Sequence, residues 1–229
     1  MLLAVDTSTQ QIGLALYDGA QVLAEFLWTS KARHSVELAP AVADLLARTS
    51  HTIDEIKAIG VAIGPGSFTS LRVGLSFVKG LAFARALPVI GINTLEVIAA
   101  GQPATRLPLA CVLPAGRGRL ALGWYRPAAV RRGRAKNNEW QAAGQAVIIT
   151  AETLAASVER DSIICGDLTA SERQTLEKNE HLRLVSPALG TRRPALLAEL
   201  AYTRWQAGRV DEVSTLAPLY LHIAQPIPA

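Results

Sequence analysis

Apolar residues come in short runs along the first ninety positions, and their spacing alternates between strand-like and helical. Leu2 to Val5 is a brief apolar run that ends in the turn-forming cluster Asp6-Thr7-Ser8-Thr9. A second run, Ile12 to Tyr17, is followed by the hairpin signal Asp18-Gly19 and by a third run from Gln21 to Trp28. The pattern predicts three strands joined by tight turns, an antiparallel meander. From Ser35 to Arg48 the apolar positions recur at helical spacing: Leu38, Val42, Leu45 and Leu46 form one stripe, and Val36, Ala39 and Ala43 another. Pro40 sits just past the first turn of that helix, where it removes one backbone bond. Thr52 and Glu55 have capping-box spacing, and Ala58 to Ile63 reads as a buried strand. Pro65-Gly66 fits the two centres of a type II turn, and Ser67 fits the N-cap of a helix running from Phe68 to about Ala86.

That helix is apolar on nearly all sides. Leu71, Leu75, Val78 and Ala82 make one stripe; Val73, Phe77, Leu81 and Ala84 make a second. A helix of this kind has to be covered on more than one side, by its own sheet and by something else. Pro88 to Ile92 predicts another strand and Asn93-Thr94 a helix start. The Gly101-Gln102-Pro103 break marks the expected lobe boundary, with one lobe over 1–102 and a second over 103–229 whose end packs back on the first. The second half is less regular. It shows strands near 107–112, 120–125 and 146–149, a Thr150-capped helix, a strand ending Ile163-Ile164-Cys165-Gly166-Asp167, and a last helix around 194–207. No internal repeat is visible.

Composition narrows the class. Half of the 229 residues are hydrophobic and the net charge is +4, which excludes disorder as the main state. No apolar stretch approaches the ~20 residues a membrane span needs. The N-terminus lacks the basic region of a signal peptide, so the chain is expected in the cytoplasm. Cys111 and Cys165 lie inside apolar runs and read as buried, reduced thiols. The positive charge is concentrated: Arg117, Arg119, Arg126, Arg131, Arg132, Arg134 and Lys136 fall in one stretch with no acid, so the rest of the chain is net negative. Such a stretch is either a contact for RNA phosphates or a solvated loop.

Chemistry-bearing constellations are few. His34, His51, His181 and His222 are dispersed and none has a partner at metal-ligand spacing. There is no Gly-x-Ser-x-Gly elbow, no phosphate-binding Gly-Lys-Ser or Gly-Lys-Thr, and no His beside either cysteine. Asp6 and Thr7 at the end of the first strand could hold a phosphate or a metal-bound water, or could simply cap a turn.

The run from Gly64 to Gly74, Gly-Pro-Gly-Ser-Phe-Thr-Ser-Leu-Arg-Val-Gly, continues to Lys79-Gly80-Leu81-Ala82 and resembles the signature of the TsaB (YeaZ) family. Ser70 and Val73 stand where that family usually has Gly and Ile. Leu3-Ala4-Val5-Asp6-Thr7-Ser8, Gly13-Leu14-Ala15-Leu16, Arg33-His34-Ser35, Leu38 with Pro40, and Pro218-Leu219-Tyr220-Leu221 match as well. In the second half the family's usual Asp-Ala-Arg appears as Pro114-Ala115-Gly116-Arg117.

The resemblance implies an α/β fold of two lobes, as in actin, Hsp70 and sugar kinases (the ASKHA superfamily). The N-terminal lobe is expected to run βββαβαβα and the C-terminal lobe to be more divergent. It also implies a part in making N6-threonylcarbamoyladenosine in tRNA, as a non-catalytic scaffold paired with its paralogue TsaD, which transfers the threonylcarbamoyl group. TsaE, an ATPase, joins the assembly, and the chain pairs with itself when TsaD is absent. No intrinsic cofactor is implied; ATP or ADP would belong to the assembled complex, and tRNA would be reached through it. The catalytic paralogue has His-x-Glu-x-His after an Asn. Here Asn93-Thr94-Leu95-Glu96-Val97-Ile98 keeps Glu96 but puts Thr94 and Ile98 in place of both metal ligands.

Three functions follow as expectations. In the first, the two apolar helices dock TsaD through Leu38, Val42, Leu45, Leu71, Leu75, Val78 and Ala82, with Arg72 and Lys79 at the rim. In the second, the chain is a nucleotide-dependent phosphotransferase that holds ATP with Asp6, Thr7 and the Gly166-Asp167 turn. In the third, the basic stretch binds tRNA directly.

Overall fold

A computed structural model describes residues 1–31, 33–128 and 140–221. In chain order the elements are β1 (Leu2–Asp6), β2 (Gln11–Tyr17), β3 (Val22–Thr29), α1 (His34–Arg48), β4 (Ala58–Gly64), α2 (Phe68–Arg85), β5 (Val89–Asn93) and α3 (Thr94–Ala100). There follow β6 (Leu109–Pro114), β7 (Leu120–Pro127), β8 (Trp140–Ala142), β9 (Val147–Ile149), α4 (Ala151–Ser157), β10 (Ser162–Gly166), α5 (Ala170–Leu176), β11 (Leu182–Leu184), α6 (Pro187–Gly190) and α7 (Pro194–Gln206). The opening βββαβαβα order matches the expectation.

The chain divides into two compact units, Met1–Val97 with Arg192–Leu219, and Ile98–Thr191 with the last residues from Tyr220. The Gly101–Pro103 break therefore falls inside the second unit, and the first recruits α7 from beyond it. The reason is packing. The first sheet has the order β3-β2-β1-β4-β5, with β1 antiparallel to β2 and parallel to β4. All five residues of β1 are buried, so both faces of the sheet need a cover.

One face is covered by α1 and α2. Leu3, Val5, Ile12, Leu14 and Leu16 from the strands meet Leu38, Val42, Leu45, Leu75 and Val78 from the two helices. The other face is lined by small residues, Ala4, Ala15, Ala58 and Ala62, and α7 lies against it through Leu197, Ala198 and Ala201. The segment after α7 then straps the open edge of β5. The Asp211 amide donates to the Val89 carbonyl (2.9 Å), the Asp211 carboxylate accepts from the Gly91 amide (2.7 Å), and Val213 and Leu216 reach the core.

The second unit repeats the plan. Its sheet order is β11-β10-β6-β7-β8, with β9 also on β7; β6 and β7 form the hairpin, and β10 and β11 add in parallel. The repeat is one of topology, carried by different residues. Cys111 and Cys165 face each other across the β6–β10 pair, Sγ to Sγ 3.5 Å, both buried and free. Burial pushes the Cys111 thiol well above the usual range, and the adjacent Cys165 adds to the shift.

One local expectation is corrected. The Gly64–Pro65 bond is cis, the positive φ (+107°) belongs to Gly64, and Gly66 is not in the left-handed region, so the turn is not type II. Gly66 is required by close approach instead: a Cβ there would collide with the Ser8 carbonyl, which accepts the Ser67 amide at 2.7 Å. Ser67 does cap α2, its hydroxyl accepting from the Ser70 amide.

Truncating a contact between α2 and the sheet tests this packing. Leu75→Ala should lower the unfolding free energy by about 2–5 kcal/mol in urea titrations, whether or not any partner is present.

Candidate functional site

The packing of α1 and α2 decides which of their stripes is available. Leu38, Val42, Leu45, Leu71, Leu75, Val78 and Ala82 are all buried in the first unit itself. These seven were expected to meet a partner, and that assignment is corrected: they are the wide, leucine-rich stripes, and the sheet takes them. A different face is left outward: on α2 the second stripe is mostly taken too, Val73, Phe77 and Leu81 being half-buried, with Phe77 and Leu81 packed against the same core. On α1 the outward face presents Val36, 59% exposed, with Ala39, Pro40 and Ala43. On α2 it presents Phe68 (52% exposed), Arg72, Ser76, Gly80, Phe83 (90% exposed) and Ala84. Phenylalanine left as open as Phe83 on a helix face is unusual.

The face has relief. An open groove of about 470 Å³ lies over the N-terminal half of α2, floored by Phe68, Val73 and Phe77 and bordered by Ser35 and Arg72. The Arg72 guanidinium stacks 3.7 Å over the Phe68 ring, a cation–π contact that holds the ring in place. Lys79, expected at the rim, is half-buried and donates to the Ser214 carbonyl of the strap at 3.3 Å. At Gly80 a Cβ would meet nothing within 4 Å, so the middle of the exposed face is flat.

The residues expected around a nucleotide divide between the units. Asp6 ends β1 and Thr7 follows it in the first, and Gly166 ends β10 and Asp167 follows it in the second. Asp6 is 3% exposed and its Oδ2 accepts from the Nε of Arg192 (3.1 Å), itself 1% exposed. Thr7 Oγ1 donates to the Ser70 carbonyl at 2.8 Å. Gly166 has φ +128° and packs its backbone against Val112. The part played by Arg192 was not foreseen: Arg192-Arg193 before Pro194 reads as an exposed helix entry, and only the tertiary fold shows one of the two arginines going inside.

Among the described residues, the basic side chains of this stretch do not form one patch. Arg117 and Arg119 sit at the β6–β7 hairpin tip, where Arg117 has φ +55°, whereas Arg126 is near the far end of β7, roughly 20 Å away at 3.3 Å per residue. Arg131, Arg132, Arg134 and Lys136 lie outside the described residues.

The stretch in α3 where a metal-binding pattern would stand is engaged internally. The Thr94 hydroxyl bonds to Ser8 Oγ (2.8 Å) and accepts from the Gly64 amide (3.1 Å), and Glu96 pairs with Arg204 (2.6 Å). Among the described residues no group of three His, Cys, Asp or Glu is placed to hold a metal ion. Among them, too, no helix is long and apolar enough to cross a membrane.

Comparison with known proteins places this geometry. A family model described as "TsaD: tRNA N6-adenosine threonylcarbamoyltransferase" matches residues 21–207. The chain belongs to this family. Its relatives fall in two groups: the tRNA threonylcarbamoyladenosine biosynthesis protein TsaB of Bacillus subtilis is 35% identical over 124 residues, 54% of either chain, and a tRNA N6-adenosine threonylcarbamoyltransferase of Clostridium botulinum is 44% identical over 64 residues, 28% of this chain and 19% of that one. The chain spans about half the length of the curated TsaB relatives it matches. A solved structure described as similar to peptidase YeaZ from Pseudomonas aeruginosa superimposes with a TM-score of 0.75 at 26% identity, over 96% of this chain and 99% of that one. A ROK hexokinase from Thermus thermophilus shares the fold alone, with a TM-score of 0.50 at 13% identity over 90% of this chain and 99% of that one. The fold is therefore ASKHA-like, and the family signature from Gly64 to Gly74 is the turn and first half of α2, the element that builds the exposed face.

Because Phe83 touches solvent rather than the core, Phe83→Ser should leave the unfolding free energy of the isolated chain in urea titrations within about 0.5 kcal/mol of the parent. A larger loss would mean that the ring supports the fold.

Proposed function

We propose that the chain is a non-catalytic scaffold subunit in the synthesis of N6-threonylcarbamoyladenosine in tRNA, and that it docks a TsaD-type threonylcarbamoyltransferase on the outward face of α1 and α2. The observation that carries this is the row Phe68, Val36 and Phe83 exposed on two helices whose other stripes are already satisfied by the sheet. Family membership and the relatives named for threonylcarbamoyladenosine biosynthesis support a part in this pathway.

The face suits a helix of similar build. Ser76 and Gly80 at its middle let a second helix approach closely, as small residues do wherever helices cross at short range. Phe83 stands about 16 Å along α2 from the centre of the groove, at 1.5 Å per residue. A partner of the same fold, crossing α2 antiparallel near Gly80, would set its own large residue in the groove and receive Phe83 in return. A second copy of the chain offers the same complement, so the chain would pair with itself when TsaD is absent. TsaE and tRNA then join through the assembled complex, where any ATP or ADP is held.

Two substitutions separate docking from folding. Gly80→Gln should leave the isolated chain as stable as the parent or up to ~1 kcal/mol more stable, because glycine is a poor helix residue. Together with Phe83→Glu it should weaken capture of the organism's TsaD about tenfold or more, ~1.4 kcal/mol, in a co-purification or calorimetric assay. Both variants should also reduce tRNA modification in the reconstituted system. Unchanged TsaD binding by the folded variants would refute the docking face.

A further inference from the structure

We infer that the turn after β1 is a cation site that the chain fills with its own guanidinium, so that Arg192 stands where a phosphotransferase would need room for a metal–nucleotide complex. This is independent of the docking face, which lies on other elements.

The turn was a reasonable place to look for nucleotide: Asp6, Thr7, Ser8 and Thr9 put four oxygen-bearing side chains in succession at the end of a buried strand. Their directions do not fit one. Asp6 Oδ1 accepts the Ser8 amide (2.8 Å) and Oδ2 accepts Arg192 Nε (3.1 Å). Thr9 Oγ1 accepts from the Arg192 terminal nitrogen (2.8 Å), while its carbonyl meets His34 Nε2 (2.9 Å). Thr7 turns to the Ser70 carbonyl and Ser8 to Thr94. Each oxygen that could face a magnesium ion or a γ-phosphate is engaged by the protein.

Burial makes the pairing strong in consequence. An arginine stays protonated, so Arg192 is a permanent cation at 1% exposure, and the Asp6 carboxylate is its counter-ion at 3%. Neither can leave alone without stranding the other charge away from water. The planar guanidinium also reaches two acceptors at once, the Asp6 carboxylate through Nε and the Thr9 hydroxyl through a terminal nitrogen. The ion pair further ties the first strand to the segment that enters α7, because Arg192 is the residue at which the first unit resumes.

A site with a resident cation makes a specific prediction once that cation is removed. In Arg192→Ala the cavity and the Asp6 carboxylate remain, so millimolar ethylguanidinium, supplied as its sulfate against matched sodium sulfate, should raise the melting temperature by several degrees. The parent should not respond. If Arg192→Ala fails to fold alone, its refolding yield from urea with and without ethylguanidinium gives the same reading. The double variant Asp6→Asn with Arg192→Met, which removes both charges, should recover much of the stability lost in Arg192→Met. A folded Arg192→Ala indifferent to ethylguanidinium, or a double variant no better than the single, would overturn the assignment. So would manganese–ATP binding by the parent chain, followed by calorimetry, that Asp6→Asn abolishes.

Discussion

The structure depends on burying one five-stranded sheet on both faces. β1 lies at its centre with every side chain out of water, and a strand in that position has no stable arrangement until two layers of helix are in place. The two layers are built differently. On one side, long leucines from α1 and α2 interlock with Leu3, Val5 and Leu14; on the other, alanines bring α7 close to the strands. The second layer arrives from beyond the second unit, which is why the first unit is completed by residues 192–219 and not by a contiguous stretch of chain.

The outward surface is a consequence of that division. The core takes the leucine stripes of α1 and α2, and half-buries Phe77 and Leu81 of α2 beside them. The unsatisfied remainder, with Phe68, Phe83 and Val36, is what a partner would cover. The family's most recognisable run of residues serves both sides at once. Gly64 and Gly66 shape the turn, Ser67 caps α2, Leu71 and Leu75 enter the core, and Arg72 with Phe68 remains outside. At the end of β1 the buried Asp6–Arg192 pair ties the first strand to the segment that enters α7.

Much of the fold was legible in the sequence because local rules and the tertiary fold agree there. The three-strand meander, Ser67 and Thr150 as caps, and the extents of α1, α2 and α7 follow from spacing and capping alone. Position on a helix was also legible; orientation was not. Nothing in one helix says which apolar stripe the sheet will take, so the expected interface was assigned to the core-facing one, and Phe83 belongs to neither stripe. Arg192 escaped notice for a related reason: an arginine is read as exposed unless its counter-ion is known, and Asp6 lies far away in sequence. In the second unit the short elements β8, β11 and α6 are too brief to show any period, and α5 went unread although Thr169 and Glu172 form a capping box.

The most direct measurement of the central claim is the reactivity of a thiol placed on the exposed face. Both native cysteines are buried, so Ala84→Cys adds an accessible thiol on α2, and Ala20→Cys, in the β2–β3 turn, serves as the control. Maleimide labelling of residue 84 should slow markedly when the TsaD subunit is added, while labelling of residue 20 stays the same. Equal rates at residue 84 with and without a bound partner would contradict the account.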